Sequence, residues 1–96
     1  MREIYFGDFR SYVIQHIRQI EKIDYDVDSL EWFLLKYLRR VVKATENENA
    51  PGRIEGCMRS LVRFYVDNLD ERSELADQCI KIYNQYRLTL RHSQTR

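Results

Sequence analysis

Apolar residues recur at positions i, i+3, i+4 and i+7 in four segments of the chain, separated by polar residues. This spacing lines one side of a helix with 3.6 residues per turn. It predicts α-helices at about residues 9–23, 29–45, 51–68 and 71–91. The connections are short, so successive helices should be antiparallel neighbours. The pattern therefore predicts an all-α, up-down four-helix bundle.

Residues with helix-starting preferences stand just before or at the start of each predicted helix. Asp8 is a candidate N-cap of the first helix, and Asp28 with Glu31 resembles a capping box before the second. Pro51 suits the first position of the third helix, where its missing amide hydrogen costs nothing. Asp70 is the candidate cap of the fourth.

The chain has 96 residues, which is the size of a single domain, so residues 1–96 are predicted to form one helical unit. Glu3–Phe6 could form either a short strand or an extended arm that packs Tyr5 and Phe6. Residues 92–96 are predicted to be a disordered tail.

Several large apolar residues fall outside the main apolar stripes. Trp32 and Leu35 lie off the main face of the second helix, and Phe64 and Val66 lie off that of the third. A Phe or Trp left in water forgoes roughly 1.5–3 kcal/mol of burial. Two interpretations follow: a partner covers this surplus, or the central helices have a wide core stripe.

The net charge of +1 argues against a surface that binds polyanions everywhere. The charge is unevenly distributed, however, with −3 in residues 1–31 and +4 in residues 32–63. Four cations lie within eight residues of the second helix: Lys36, Arg39, Arg40 and Lys43. This stripe could contact phosphates or a partner's carboxylates. It could also simply offset the dipole at the end of the helix.

The third helix carries a weaker basic signal, the pair Arg59 and Arg63. Both have an acid four residues away, Glu55 and Asp67 respectively, at the spacing of a helical ion pair. The two arginines are therefore expected to be satisfied within the helix.

Motifs for cofactor or metal chemistry are missing from the sequence. Asp24–Asp28 resembles the start of a calcium loop but lacks the glycine and the closing glutamate that such a loop needs. His16 lies on the apolar stripe of the first helix, which favours a buried neutral side chain. Cys57 and Cys79 are expected to be buried as small apolar residues on the facing stripes of helices three and four, without a disulfide.

Arg87 and His92 are separated by four residues. This Arg-x4-His spacing resembles a motif of small helical ribonucleases of the HEPN kind, and the resemblance covers these two residues alone. It would imply that Arg87 and His92 form a catalytic pair.

These observations predict a non-catalytic helical adaptor or regulatory protein that binds another protein and self-associates as a homodimer. A nucleic-acid accessory protein that uses the basic stripe is the alternative, and a helical ribonuclease is a remote one. No cofactor, metal or membrane is expected, and the cytoplasm is the expected location because no export signal is recognisable. The predicted partner-binding residues are Trp32, Leu35, Lys36, Arg39, Arg40, Lys43, Arg63 and Phe64.

Overall fold

The structure is a computed structural model that describes residues 5–46 and 51–94. Every regular element in these two ranges is an α-helix. The helices are α1 (Gly7–Glu21), α2 (Leu30–Thr45), α3 (Pro51–Asn68) and α4 (Glu74–Gln94). The predicted all-α four-helix fold is confirmed, and α3 begins and ends where its periodicity predicts.

Each helix packs against its sequence neighbours, and α1 also packs against α4, so the four helices close into a ring. Side-chain contacts show that the neighbours are antiparallel. Phe9 near the start of α1 contacts Tyr86 late in α4, with ring centroids 5.6 Å apart. Tyr37 in the middle of α2 contacts Phe64 late in α3, at 5.1 Å. The predicted up-down arrangement follows from these pairings.

The helix starts differ from the predicted ones because serines rather than aspartates provide the caps. Ser29 caps α2 by accepting a hydrogen bond from the Trp32 amide at 3.2 Å, while Asp28 takes a left-handed backbone conformation with φ of 67°. Ser73 accepts from the amide of Ala76 at 3.1 Å, so α4 begins at Glu74. The capping roles predicted for Asp28 and Asp70 are therefore wrong.

The N-terminal end of α1 also departs from prediction. The helix begins at Gly7, its N-cap is Phe6, and no side chain caps it, so Asp8 lies inside the first turn. Phe6 is buried and packs edge-on to Phe9, whereas Tyr5 is exposed. Of the predicted arm, Glu3 and Ile4 lie outside the described residues.

Helix α4 extends to Gln94, past its predicted end at residue 91. The backbone of residues 92–94 is thus helical, where the sequence predicts a disordered tail. Leu90 is half-buried against the core and holds this end of the helix in place. Residues 95–96 lie outside the described part of the chain.

One core fills the space between the four helices. Its largest fully buried side chains come from α1, α2, α3, α4 and the residue before α1: Phe6, Phe9, Val13, Ile20, Leu34, Leu35, Leu38, Val41, Ile54, Met58, Leu61 and Ile82. His16 is buried as expected, and its Nδ1 lies 3.0 Å from the side-chain oxygen of Gln78 on α4. This contact gives the imidazole a hydrogen-bond partner inside the α1–α4 seam.

Both cysteines are free thiols, as expected. Cys79 is buried in the core, and burial raises its pKa to about 12, which leaves the thiol protonated at neutral pH. Cys57 is only half-buried, and its Sγ contacts the backbone oxygen of Arg40 at 3.8 Å. Cys57 therefore faces α2 and not α4, contrary to the prediction.

No helix among the described residues is long and apolar enough to cross a membrane.

Arg10 ties the start of α1 to the end of α2. Its Nε donates to the Thr45 hydroxyl and its Nη2 to the Thr45 carbonyl oxygen, both at 3.0 Å. Thr45 is fully buried and lies in the last turn of α2. Its carbonyl oxygen therefore has no amide further along the helix from which to accept a hydrogen bond. A cation here also offsets the helix dipole.

We expect the substitution Arg10→Ala to lower the free energy of unfolding by about 1–3 kcal/mol, because it leaves buried acceptors of Thr45 without a donor. Urea unfolding followed by circular dichroism measures this loss. The control Arg18→Ala, at an exposed position of the same helix, should change stability by about 0.5 kcal/mol or less. Equal losses for the two variants would contradict this role of Arg10.

Candidate functional site

Two of the predicted partner-binding residues lie in the core. Leu35 is 1% exposed and Phe64 is 6% exposed. The prediction that they are left over for a partner is therefore wrong. Because α2 packs against α1 on one side and α3 on the other, it buries a wider arc than one stripe. The wide core stripe, which the sequence left open as an alternative, accounts for both residues.

Trp32 is half-buried and remains at the surface. Its ring stands edge-on to Phe33, with centroids 4.9 Å apart. The Lys36 ammonium lies over the Trp32 ring, 5.9 Å from its centroid. Of the three predicted apolar anchors, Trp32 is thus the one that a ligand can reach. A cation, Lys36, lies beside it.

The predicted cations of α2 form one exposed surface, here called the basic face: Lys36, Arg39, Arg40 and Lys43. Arg39 is neutralised within the chain, since its guanidinium lies 2.8 Å from Glu21 of α1, and this hydrogen bond raises the pKa of Arg39. Arg40 lies over the ring of Tyr37, 5.8 Å from the centroid, and forms no ion pair among the described residues. Lys36, Arg40 and Lys43 therefore supply the charge of this face.

Arg63 belongs to a different surface from the basic face. Successive residues on a helix are turned by about 100°. Phe64 therefore packs towards Tyr37 of α2, and Arg63 faces the gap between α3 and α4. The predicted site is thus divided between two sides of the bundle.

The gap between α3 and α4 is a groove of about 870 Å³. It is here called the α3–α4 groove and is lined by Gly52, Glu55, Met58, Arg59, Val62, Arg63, Val66, Asp67, Tyr83, Tyr86, Arg87 and Leu90. Val66 is 69% exposed, and Tyr83 is 39% exposed. Large apolar side chains thus remain in contact with solvent along this groove.

Charged residues accompany the apolar wall of the groove. On α4 the Arg87 guanidinium lies over the Tyr83 ring, 6.0 Å from its centroid. On α3 the predicted pair of Arg59 and Glu55 is confirmed, at 2.8 Å. In contrast, no ion pair joins Arg63 to Asp67 in the part of the chain that the structure describes, although the sequence predicts one.

Sequence reasoning missed most of this groove. It noted Val66 as lying off the core stripe but did not connect it with Tyr83 and Arg87 of α4. The i, i+4 spacing of Tyr83 and Arg87 is the local signal for an exposed aromatic and cation pair. Which pair of neighbouring helices leaves a groove between them, however, depends on how the four helices pack into the ring, and the pattern within one helix does not predict this.

Two further features concern metal ligands and the ribonuclease-like pair of Arg87 and His92. No group of three or more His, Cys, Asp or Glu side chains within 5–46 and 51–91 could hold a metal ion. Of the ribonuclease-like pair, Arg87 lines the groove. The His92 side chain lies outside the described residues, so the resemblance to HEPN ribonucleases stays a prediction.

Comparison with protein-family models, with curated proteins and with solved structures finds no match for this chain. A function must therefore be argued from the residues and contacts of the chain itself.

Proposed function

We propose that the chain is a non-catalytic helical adaptor or regulatory protein that binds another protein through the α3–α4 groove. The exposure of Val66 carries this proposal, since a large apolar side chain stands in solvent in a groove that Arg63 and Tyr83 also line. Tyrosine and arginine are enriched at protein–protein interfaces and among the residues that dominate their binding energy.

The shape of the groove favours a helix as its occupant. Val62 and Val66 are one turn apart on α3, and Tyr83 and Leu90 are two turns apart on α4. The walls therefore present apolar side chains at helical spacing along their length. An amphipathic helix could place its own apolar stripe between such walls, as in helix-in-groove recognition. The partial exposure of the lining fits a helix better than a small molecule, which is usually enclosed.

A second copy of the chain is the simplest partner. Arg63 and Asp67 carry opposite charges on either side of Val66, and neither forms an ion pair within the described chain. If α3 of a second copy lay antiparallel with the two-fold axis at residue 65, next to Val66, each Arg63 would face the other copy's Asp67. A two-fold interface is self-complementary in this way, because the same patch serves both subunits.

We expect Val66→Asp to abolish association through the groove, because it places a carboxylate at the centre of the apolar contact. Size-exclusion chromatography with light scattering measures the mass, and a complex of two chains would have twice the 11.7 kDa of one.

A photo-crosslinking residue at position 66, introduced in the native host, tests for other partners. The matched control is position 27, where Val27 is 73% exposed in the connection before α2.

The proposal predicts a discrete crosslinked product from position 66 and none from position 27. Val27→Asp should leave association intact, and both aspartate variants should stay folded because both side chains are exposed. A monomer without a specific crosslink at position 66 would contradict binding through the groove.

The two-copy version makes its own prediction. Arg63→Asp alone and Asp67→Arg alone should each weaken the dimer, because each places like charges opposite one another twice in a two-fold interface. The double variant Arg63→Asp/Asp67→Arg should restore it. Sedimentation equilibrium gives the dissociation constants. Failure of the double variant to recover affinity would rule out this pairing.

A further inference from the structure

We infer that the basic face of α2, extended by Arg53 of α3, binds the phosphate backbone of a nucleic acid. This surface is separate from the α3–α4 groove, because it is carried by the outward side of α2, the helix diagonally across the ring from α4. The inference is therefore independent of the proposed protein-binding function.

Lys36, Arg40 and Lys43 of the basic face repel one another, and none of the three forms an ion pair among the described residues. Lys36, Arg40 and Lys43 follow the i, i+4, i+7 spacing, so their side chains project to the same side. The segment 36–43 contains no acid. The nearby acid Glu21 binds Arg39 at 2.8 Å, and Glu46, three residues after Lys43, forms no ion pair among the described residues. An anionic ligand would relieve this repulsion.

Intramolecular roles account for only part of these cations, since Lys43 lies in the last turn of α2 and offsets the helix dipole there but Lys36 and Arg40 do not. The end of α2 is already bound by Arg10, which donates two hydrogen bonds to Thr45. Lys36 lies in the first half of α2, where a cation gains nothing from the helix dipole. The ring contacts of Lys36 with Trp32 and of Arg40 with Tyr37 orient the side chains without neutralising them.

Arg53 extends the basic face onto the neighbouring helix. Cys57 of α3 contacts the backbone oxygen of Arg40 at 3.8 Å, which places that side of α3 next to α2. Arg53 is one helical turn before Cys57 and is exposed. The face thus spans two helices, and from Lys36 to Lys43 it runs about 10 Å along α2.

The distribution of apolar residues favours a nucleic acid over an acidic protein. Protein interfaces generally have an apolar centre depleted of charge. Leu35 and Phe64 could have supplied such a centre, but both are in the core. What remains is a cationic surface with two half-buried rings beside its cations, Trp32 next to Lys36 and Tyr37 next to Arg40. Interfaces with nucleic acids are strongly positive, and an exposed ring next to cations can also stack on a base.

Fluorescence anisotropy with labelled single-stranded RNA and duplex DNA of about 20 nucleotides per strand tests the inference. Both probes share the phosphate backbone, and binding of either supports the inference. Four phosphate contacts, from Lys36, Arg40, Lys43 and Arg53, predict an affinity that falls about 50- to 150-fold between about 50 and 200 mM salt. The variant Lys36→Gln/Arg40→Gln/Lys43→Gln should bind at least about tenfold more weakly at low salt and lose most of that salt dependence.

The matched control Arg18→Gln/Arg72→Gln/Lys81→Gln removes the same number of charges from exposed positions outside α2 and α3. It should keep the wild-type affinity within about twofold, and circular dichroism should show both triple variants to be folded. Absence of binding by the wild type at low salt, or equal losses in the two triple variants, would overturn the inference. If polyglutamate displaced the labelled probe as well as unlabelled nucleic acid does, the surface would be assigned to an acidic protein. That result would also overturn the inference.

Discussion

Packing of α2 against both of its neighbours determines which side chains are left for binding. A helix with a neighbour on each side buries about half of its circumference, and on α2 this arc includes Leu35 as well as the regular stripe around Leu38. On α3 the same constraint buries Phe64 against Tyr37. The outward side of α2 is then left with cations and a half-buried Trp32. The fourth side of the ring, between α3 and α4, keeps some apolar side chains in solvent, Val66 above all.

This division gives the two surfaces different chemistry. The α3–α4 groove combines exposed apolar side chains such as Val66 with arginine and tyrosine, which is suited to another protein. The basic face has charge without an apolar centre, which is suited to a phosphate backbone. The basic face lies mainly on α2, and the groove lies between α3 and α4.

The sequence predicts the helices well because their apolar periodicity extends over four or more turns. It predicts their starts less well, because neighbouring polar residues compete for the same capping role. Asp70 accepts from the Arg72 amide at 3.0 Å and closes a turn, so the cap passes to Ser73. Asp28 similarly precedes the actual cap, Ser29. Such outcomes depend on backbone geometry that residue preferences alone do not fix.

The four cations of α2 are exposed and their binding role stays a prediction, whereas two of the three predicted apolar anchors, Leu35 and Phe64, are buried for one reason. Periodicity locates the centre of a helix stripe, but the width of the buried arc depends on how many neighbours the helix has. Leu35 and Phe64 lie at the edge of that arc and are buried by the ring arrangement. Arg63 is adjacent to Phe64 in sequence, but the turn of the helix directs it to the opposite edge.

Phe64 is buried in the core of a single chain and not in an interface between chains. The most direct test is the free energy of unfolding of Phe64→Ala, measured over a wide range of protein concentrations. Removing a buried ring should cost about 3–5 kcal/mol, and the cost should be the same at every concentration. A loss below about 0.5 kcal/mol at low concentration, together with weaker self-association, would place Phe64 at an interface and contradict the account.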